Sequence, residues 1–69
     1  MKKSKILRLS KDAIAGAGFT QRSLGEAVGI NESRISLATH GKFNFSPEER
    51  TRIASAIGRP ESEVFYAAE

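Results

Sequence analysis

Apolar residues recur along the chain at spacings of three and four, in short blocks that glycines separate. Such spacing places them on one face of an α-helix. Leu24 and Val28 are four residues apart in one block, and Ile35 and Ala38 are three apart in the next. The pattern therefore predicts a chain built mainly from short amphipathic helices.

The residues at the ends of two central blocks are typical of helix boundaries. Thr20 and Asn31 can each accept a hydrogen bond from the first turn of the helix that follows. Gly29 and Gly41 can adopt the left-handed conformation with which many helices end. We therefore expect helices over about residues 21–28 and 32–39.

The next helix has the clearest start. Ser46 can serve as its N-cap, Pro47 suits the first helical position, and Glu49 is placed to complete a capping box. We expect this helix to stop at Gly58 and a short last helix to follow over about residues 60–65.

The first segment has two interpretations. Over residues 5–17, apolar side chains fall at helical spacing and indicate a helix. Leu7 and Leu9 also alternate with polar residues, so residues 5–9 could instead form a strand. Ser10 would then cap a shorter helix.

These elements indicate a single all-α domain over residues 1–69, a compact arrangement of four to five helices in which residues 1–4 and 67–69 fray. The expected core comprises Ile14, Phe19, Leu24, Ala27, Val28, Ile30, Ile35, Ala38, Ile53, Ile57, Val64 and Phe65.

Composition and charge limit the possible classes of protein. The chain has no cysteine and no apolar run near the ~20 residues that span a membrane. We therefore expect a cytoplasmic protein without disulfides or a membrane-spanning segment. Residues 1–42 carry eight basic and three acidic side chains, whereas residues 43–69 carry three and five. The first part is more attractive to a polyanion, although ordinary solvation of a small surface also explains such a charge.

Each of the two central helices, predicted over residues 21–28 and 32–39, has an apolar inner face. Gly25 lies where the two helices must approach closely. On the helix of residues 32–39 and just after it, an outward stripe that is polar except for one leucine is formed by Ser33, Ser36, Leu37 and His40. A helix whose apolar face packs on the core and whose exposed face carries such a stripe fits the major groove of B-DNA.

Short motifs at fixed spacing support this interpretation. Thr20-Gln21, Gly29-Ile30-Asn31 and Ile35-Ser36 lie within residues 19–36, and Gly41, Pro47 and residues 53–58 continue the pattern. In these motifs the chain resembles the phage Cro/C1 repressor-like (lambda-repressor-like) helix-turn-helix family, over roughly residues 19–65. It departs from the family in Gly25, where alanine is usual, and in Ala38-Thr39, where a larger apolar residue and a glutamate are usual. The loop of residues 42–46 reads Phe-Asn-Phe where polar residues are common.

The resemblance implies a lambda-repressor-like fold and a sequence-specific transcriptional regulator of double-stranded DNA, of the phage or mobile-element repressor type. It also implies a homodimer on a pseudo-palindromic site, with half-sites about one helical turn (~34 Å) apart. The apolar residues 64–68 could form part of the dimer interface, or Val64 and Phe65 could lie wholly in the core. The alternative is an antitoxin or accessory protein that mainly binds protein.

The resemblance also assigns roles to individual residues. Those expected to read base edges are Glu32, Ser33, Ser36 and Leu37. Those expected to contact phosphates are Gln21, Arg22, Arg34, His40, Lys42 and Asn44.

Some residues have more than one interpretation. Glu32 can stabilise the helix N-terminus, and it could also accept a hydrogen bond from cytosine. Phe43 and Phe45 could anchor the loop on the core or stack on bases, and we favour the role as anchors. The lysines at positions 2, 3 and 5 could form a solvated tail or an arm that follows DNA. The sequence offers no paired acid and base and no metal-ligand cluster, so we expect no enzyme, metal, cofactor or small-molecule ligand.

Overall fold

A computed structural model describes residues 7–67, and all structural statements below concern this part of the chain. It contains five helices and one two-stranded antiparallel sheet. In chain order the elements are β1 (Leu7–Leu9), α1 (Lys11–Gly16), α2 (Gln21–Val28), α3 (Glu32–Thr39), α4 (Pro47–Ile57), α5 (Glu61–Val64) and β2 (Phe65–Ala67). The predictions for α2, α3 and α4 are confirmed.

The predicted N-caps also form, because each side chain satisfies a backbone N–H that the first helical turn leaves without a partner. Asn31 Oδ1 accepts from the N–H of Ser33 at 2.8 Å. Ser46 Oγ accepts from the N–H of Glu49 at 3.2 Å, and Glu49 Oε1 accepts from the N–H of Ser46 at 2.9 Å. The predicted capping box is therefore present. Thr20 forms a second such box, with Ser23 in the place of the glutamate.

The N-terminal segment follows the strand interpretation. Residues 7–9 form β1, and Ser10 Oγ accepts from the N–H of Ala13 at 3.1 Å at the start of α1. A helix that begins near residue 5 is therefore wrong for residues 7–9, whereas residues 11–16 are helical in both interpretations. The expected arm or tail at positions 2, 3 and 5 and the fraying of residues 1–4 lie outside the described residues.

The last helix is shorter than predicted, and the all-α expectation misses the sheet. Phe65 belongs to β2, where it pairs with Leu9, and Ala67 pairs with Leu7. The N–H of Ser10 continues the ladder by donating to the carbonyl of Val64 at 2.8 Å. Ala67, expected to fray, is thus held in a strand, while residues 68–69 lie outside the described part. Pairing with a distant segment decides the conformation here, since a short strand gains hydrogen bonds only from its partner.

The core holds most of the predicted side chains. Ala27 is exposed and Phe19 is only half-buried at the core's edge, so the prediction is wrong for Ala27 and too strong for Phe19. The core side chains that the prediction omitted are Leu9, Ala13, Phe45 and Ala54. Leu9 enters the core because β1 turns one of its faces inward.

Gly25 allows the turn between α2 and α3 to lie close to α2. A Cβ on Gly25 would lie 2.5 Å from the carbonyl oxygen of Ile30 and 3.6 Å from the nitrogen of Glu32. The first distance is shorter than any ordinary contact of a Cβ atom. The close approach predicted for Gly25 is therefore real, and its tightest point is the turn rather than the body of α3.

No helix within residues 7–67 has both the length and the apolar character needed to cross a membrane.

Candidate nucleic-acid interface

The third helix, α3, is buried along one side and exposed along the other. Ile35 and Ala38 are fully buried in the same cluster as Leu24. On the opposite side, Ser33 is exposed and Leu37 retains 44% of its accessible surface. The outward stripe is therefore present, although one of its members, Ser36, is half-buried.

The N-terminal end of α3 is exposed as well. Glu32 is its first residue, in the turn where a carboxylate stabilises the positive end of a helix. It makes no ion pair with another described residue. The depression that it borders at the α2–α3 turn is also lined by Arg22. The structure thus brings one predicted phosphate-binding residue next to one predicted base-reading residue.

The C-terminal end of α3 is ordered by side-chain hydrogen bonds to its own backbone. His40 Nδ1 lies 2.9 Å from the carbonyl oxygen of Ser36. Because a carbonyl oxygen only accepts, Nδ1 carries the hydrogen in this contact, and Nε2 is left for other partners. The buried hydroxyl of Thr39 donates to the same carbonyl at 2.7 Å. The hydroxyl of Thr39 is therefore satisfied within α3 although its side chain is buried.

Two predicted phosphate-binding residues lie at the start of α2. Gln21 is half-buried and is the first residue of that helix. Arg22 is exposed, and its Nε lies 3.6 Å from an oxygen of Glu26. Both side chains of this pair are more than two-thirds exposed, so water screens the pair and the arginine can exchange it for another anion.

The remaining candidates lie in the loop between α3 and α4. Lys42 is exposed and makes no ion pair within the described residues. Asn44 has a structural task, since its Oδ1 accepts from the N–H of Leu7 at 3.0 Å and joins the loop to β1. A phosphate contact by Asn44 therefore remains a prediction beside this observed role.

Arg34 lies on the flank of α3, where an aromatic side chain supports it. Its guanidinium carbon is 5.7 Å from the ring centroid of Phe43. That ring packs edge-on against Phe45, with 5.1 Å between centroids, and Phe45 packs edge-on against Phe65 at 6.2 Å. Phe45 is buried and Phe43 half-buried, which confirms that the two loop aromatics anchor the loop.

Other arginines serve the fold itself. Nη1 of Arg52 donates to the carbonyl of Val28 at 2.9 Å and so caps α2. Nη1 of Arg50 donates to the carbonyl of Phe45 at 2.9 Å, and its Nε lies 3.6 Å from Glu61. These two cations of the C-terminal part are thus already engaged. By contrast, the basic side chains of α1, α2, α3 and the loop after α3 are exposed.

Sequence reasoning missed two basic residues near the end of α3. Arg8 and Lys11 line the same groove as His40. The alternation of Leu7 and Leu9 was the available signal, because it places the intervening Arg8 on the outer face of a strand. Nothing in the sequence identified where that strand would pack.

Within residues 7–67, no three acidic or histidine side chains are grouped so that they could hold a metal ion. Comparisons of the chain with models of known families, with curated proteins and with solved structures found no significant match.

Proposed function

We propose that this protein is a sequence-specific, double-stranded DNA-binding regulator of the lambda-repressor-like type, with α3 as its recognition helix. One observation carries the proposal: α3 is held by buried Ile35 and Ala38, while Ser33 and Leu37 face outward. A leucine that is 44% exposed within a polar stripe has no role in the core. It fits contact with the methyl group of thymine in the major groove.

In this proposal the two ends of α3 have different tasks. Glu32 and Ser33 meet base edges first, since they lie at the exposed N-terminal end. Ser36 and Leu37 follow one turn later. His40, at the C-terminal end, reaches toward the DNA backbone with Nε2.

Phosphate contacts hold α3 in register on the duplex. Gln21 and Arg22 do so from the start of α2, and Lys42 and Asn44 do so from the loop after α3. Arg34 contacts a phosphate from the flank of α3 with its guanidinium resting on Phe43. Arg22, beside Glu32, and Lys42, after the end of α3, thus place one cation near each end of the base-reading stripe.

A regulator of this size covers only a few base pairs, so we propose that it binds as a homodimer to a pseudo-palindromic site. Val64 and Phe65 are buried within the protomer, as the alternative that places them in the core expects, so the residues after them are the candidates for the interface. Tyr66 and Ala67 are exposed, and position 68 lies outside the described residues.

Selection of bound sequences from a pool of random duplexes tests the proposal. We expect the wild-type protein to enrich a short motif, repeated in inverted orientation about one helical turn apart. We also expect log K to fall linearly with log salt concentration, since several phosphates release counterions. Recovery of an unenriched pool would reject the proposal and favour a protein that acts mainly through protein partners.

A further inference from the structure

A groove of about 380 Å³ lies beyond the C-terminal end of the recognition helix. Its walls come from four elements: β1, α1, the end of α3, and β2. The side chains that can donate hydrogen bonds into it include Arg8, Lys11, His40 and Tyr66, and the one carboxylate on its wall is that of Asp12.

The sheet places two of these side chains together. Arg8 pairs with Tyr66 in the antiparallel register, between the pairs Leu7–Ala67 and Leu9–Phe65. Leu9 and Phe65 are buried, so side chains at the intervening pair point away from the core. Tyr66 accordingly keeps 48% of its accessible surface and is one of two large apolar side chains that the described chain exposes, the other being Leu37.

Arg8 makes the end of α3 compatible with an anion. Its Nε donates to the carbonyl of Thr39 at 3.1 Å. This bond places a cation at the negative end of the helix dipole, which would otherwise repel a phosphate. The two terminal nitrogens of Arg8 make no hydrogen bond or ion pair with another described residue, and they remain able to donate into the groove.

Lys11 has no evident role in stability. It is exposed at the first position of α1, where the positive end of the helix disfavours a cation. It makes no ion pair within the described part of the chain. It borders the groove on one side and, on the other, a shallow depression that Gln21 also lines. Lys11 therefore lies between two proposed phosphate-binding residues, Gln21 and His40.

We propose that this groove binds a phosphate group, supplied by the backbone of the duplex that α3 reads. The inference rests on the proposed function and extends its footprint to Arg8, Lys11 and Tyr66. Arg8 and Lys11 supply charge, while His40 Nε2 and the hydroxyl of Tyr66 supply hydrogen bonds. The two positive charges of Arg8 and Lys11 outnumber the single negative charge of Asp12. Because His40 belongs to both, the groove is continuous with the outward stripe. A free phosphate ion offers the same chemistry and is the other source to be tested.

The experiment compares Lys11→Gln with Arg59→Gln. Each variant removes one exposed positive charge, but Arg59 lies at the other end of α1, where its Nη2 is 3.7 Å from a Cβ built on Gly16. For Lys11→Gln we expect the slope of log K against log salt concentration to fall by about 1, and affinity to fall roughly fivefold at physiological salt. The selected motif should not change. Arg59→Gln should match the wild type in slope, affinity and motif.

Equal slopes for the wild type and both variants, in a protein that does bind duplexes, would overturn the groove proposal and leave the proposed function intact. If the wild type binds no duplex, the proposed function fails and a titration with inorganic phosphate decides the groove. Saturable shifts of the backbone amide signals at Arg8, Lys11 and His40, lost in Lys11→Gln and kept in Arg59→Gln, would support a site for free phosphate. Absence of those shifts would then overturn the groove as well.

Discussion

The guanidinium carbon of Arg34 lies 5.7 Å from the centroid of the Phe43 ring. Through Phe45, this ring is connected to Phe65, which belongs to the buried core. An arginine on the flank of α3 is thus supported by a row of three rings that begins inside the protein. The Phe-Asn-Phe loop thus supplies the aromatic ring that supports Arg34 in the proposed interface.

Replacing Phe43 by leucine should weaken DNA binding without changing its specificity. The cation–π contact is worth about 0.5–1 kcal/mol at an exposed site, so affinity should fall roughly two- to fivefold for all duplexes alike. Fluorescence anisotropy with the selected duplex and with an unrelated duplex measures both effects. Phe43→Tyr keeps an aromatic face under Arg34 and should bind as the wild type does. Equal affinities for the leucine variant and the wild type would show that Phe43 does not position Arg34.

Gly25→Ala should destabilise the fold although alanine is the better helix former. The new Cβ would lie 2.5 Å from the carbonyl oxygen of Ile30, and the turn would have to move. We expect a net loss of roughly 1–3 kcal/mol in the free energy of unfolding, as in other overpacked sites. Urea denaturation followed by circular dichroism measures this loss.

Gly16→Ala is the matched control for that experiment. Its Cβ would meet nothing nearer than Nη2 of Arg59 at 3.7 Å, which is an ordinary contact. Alanine should therefore leave stability unchanged or raise it by up to about 1 kcal/mol. A Gly25→Ala variant as stable as Gly16→Ala would contradict the packing described at the α2–α3 turn.

The capping box at the start of α4 gives a second test of the fold. Ser46→Ala removes the acceptor for the N–H of Glu49 and should lower the free energy of unfolding by about 1 kcal/mol. Ser55→Ala, at an exposed position inside the same helix, should cause no loss because alanine has the higher helix propensity. Since neither serine belongs to the proposed interface, the affinity of the folded variants for DNA should stay constant. Equal stabilities of the two variants would count against the cap.

The parts of the fold that the sequence predicted are those set by neighbouring residues. Thr20, Asn31 and Ser46 cap helices within three residues of themselves, and Gly29 and Gly58 end helices at φ values of 74° and 82°. Each of these requirements is satisfied within one helical turn. Their positions could therefore be read without knowing the rest of the fold.

The parts that were missed depend on segments far apart in the chain. Phe65 leaves the helical pattern because Leu9, 56 positions earlier, offers a strand to pair with. Ala27 has helical spacing suited to the core, yet it borders an open groove between α2 and α4. The proposed interface divides in the same way. The stripe on α3 could be predicted because it follows from helical periodicity. The support of Arg34 by Phe43 and the groove beside His40 could not, because they depend on tertiary packing.

Replacing a residue that is proposed to contact only phosphate should lower affinity for DNA without changing the preferred bases. Lys42→Gln removes one exposed positive charge from the loop after α3. We expect it to weaken binding to every duplex to a similar degree and to reduce the slope of log K against log salt concentration by about 1. Affinities for the selected and an unrelated duplex, measured at several salt concentrations, test this. A change in the preferred bases would instead indicate that Lys42 contacts base edges in the major groove of the DNA.

Parallel binding-site selection with the wild type and with Leu37→Gln tests most directly whether α3 reads DNA. This residue is exposed, so the change should leave the fold intact. It replaces a side chain that we propose contacts a thymine methyl with one that can hydrogen-bond to adenine. We predict that both proteins enrich related motifs that differ at one base-pair position in each half-site. Identical motifs from the two proteins, or no motif from either, would contradict the assignment of α3 as a helix that reads DNA.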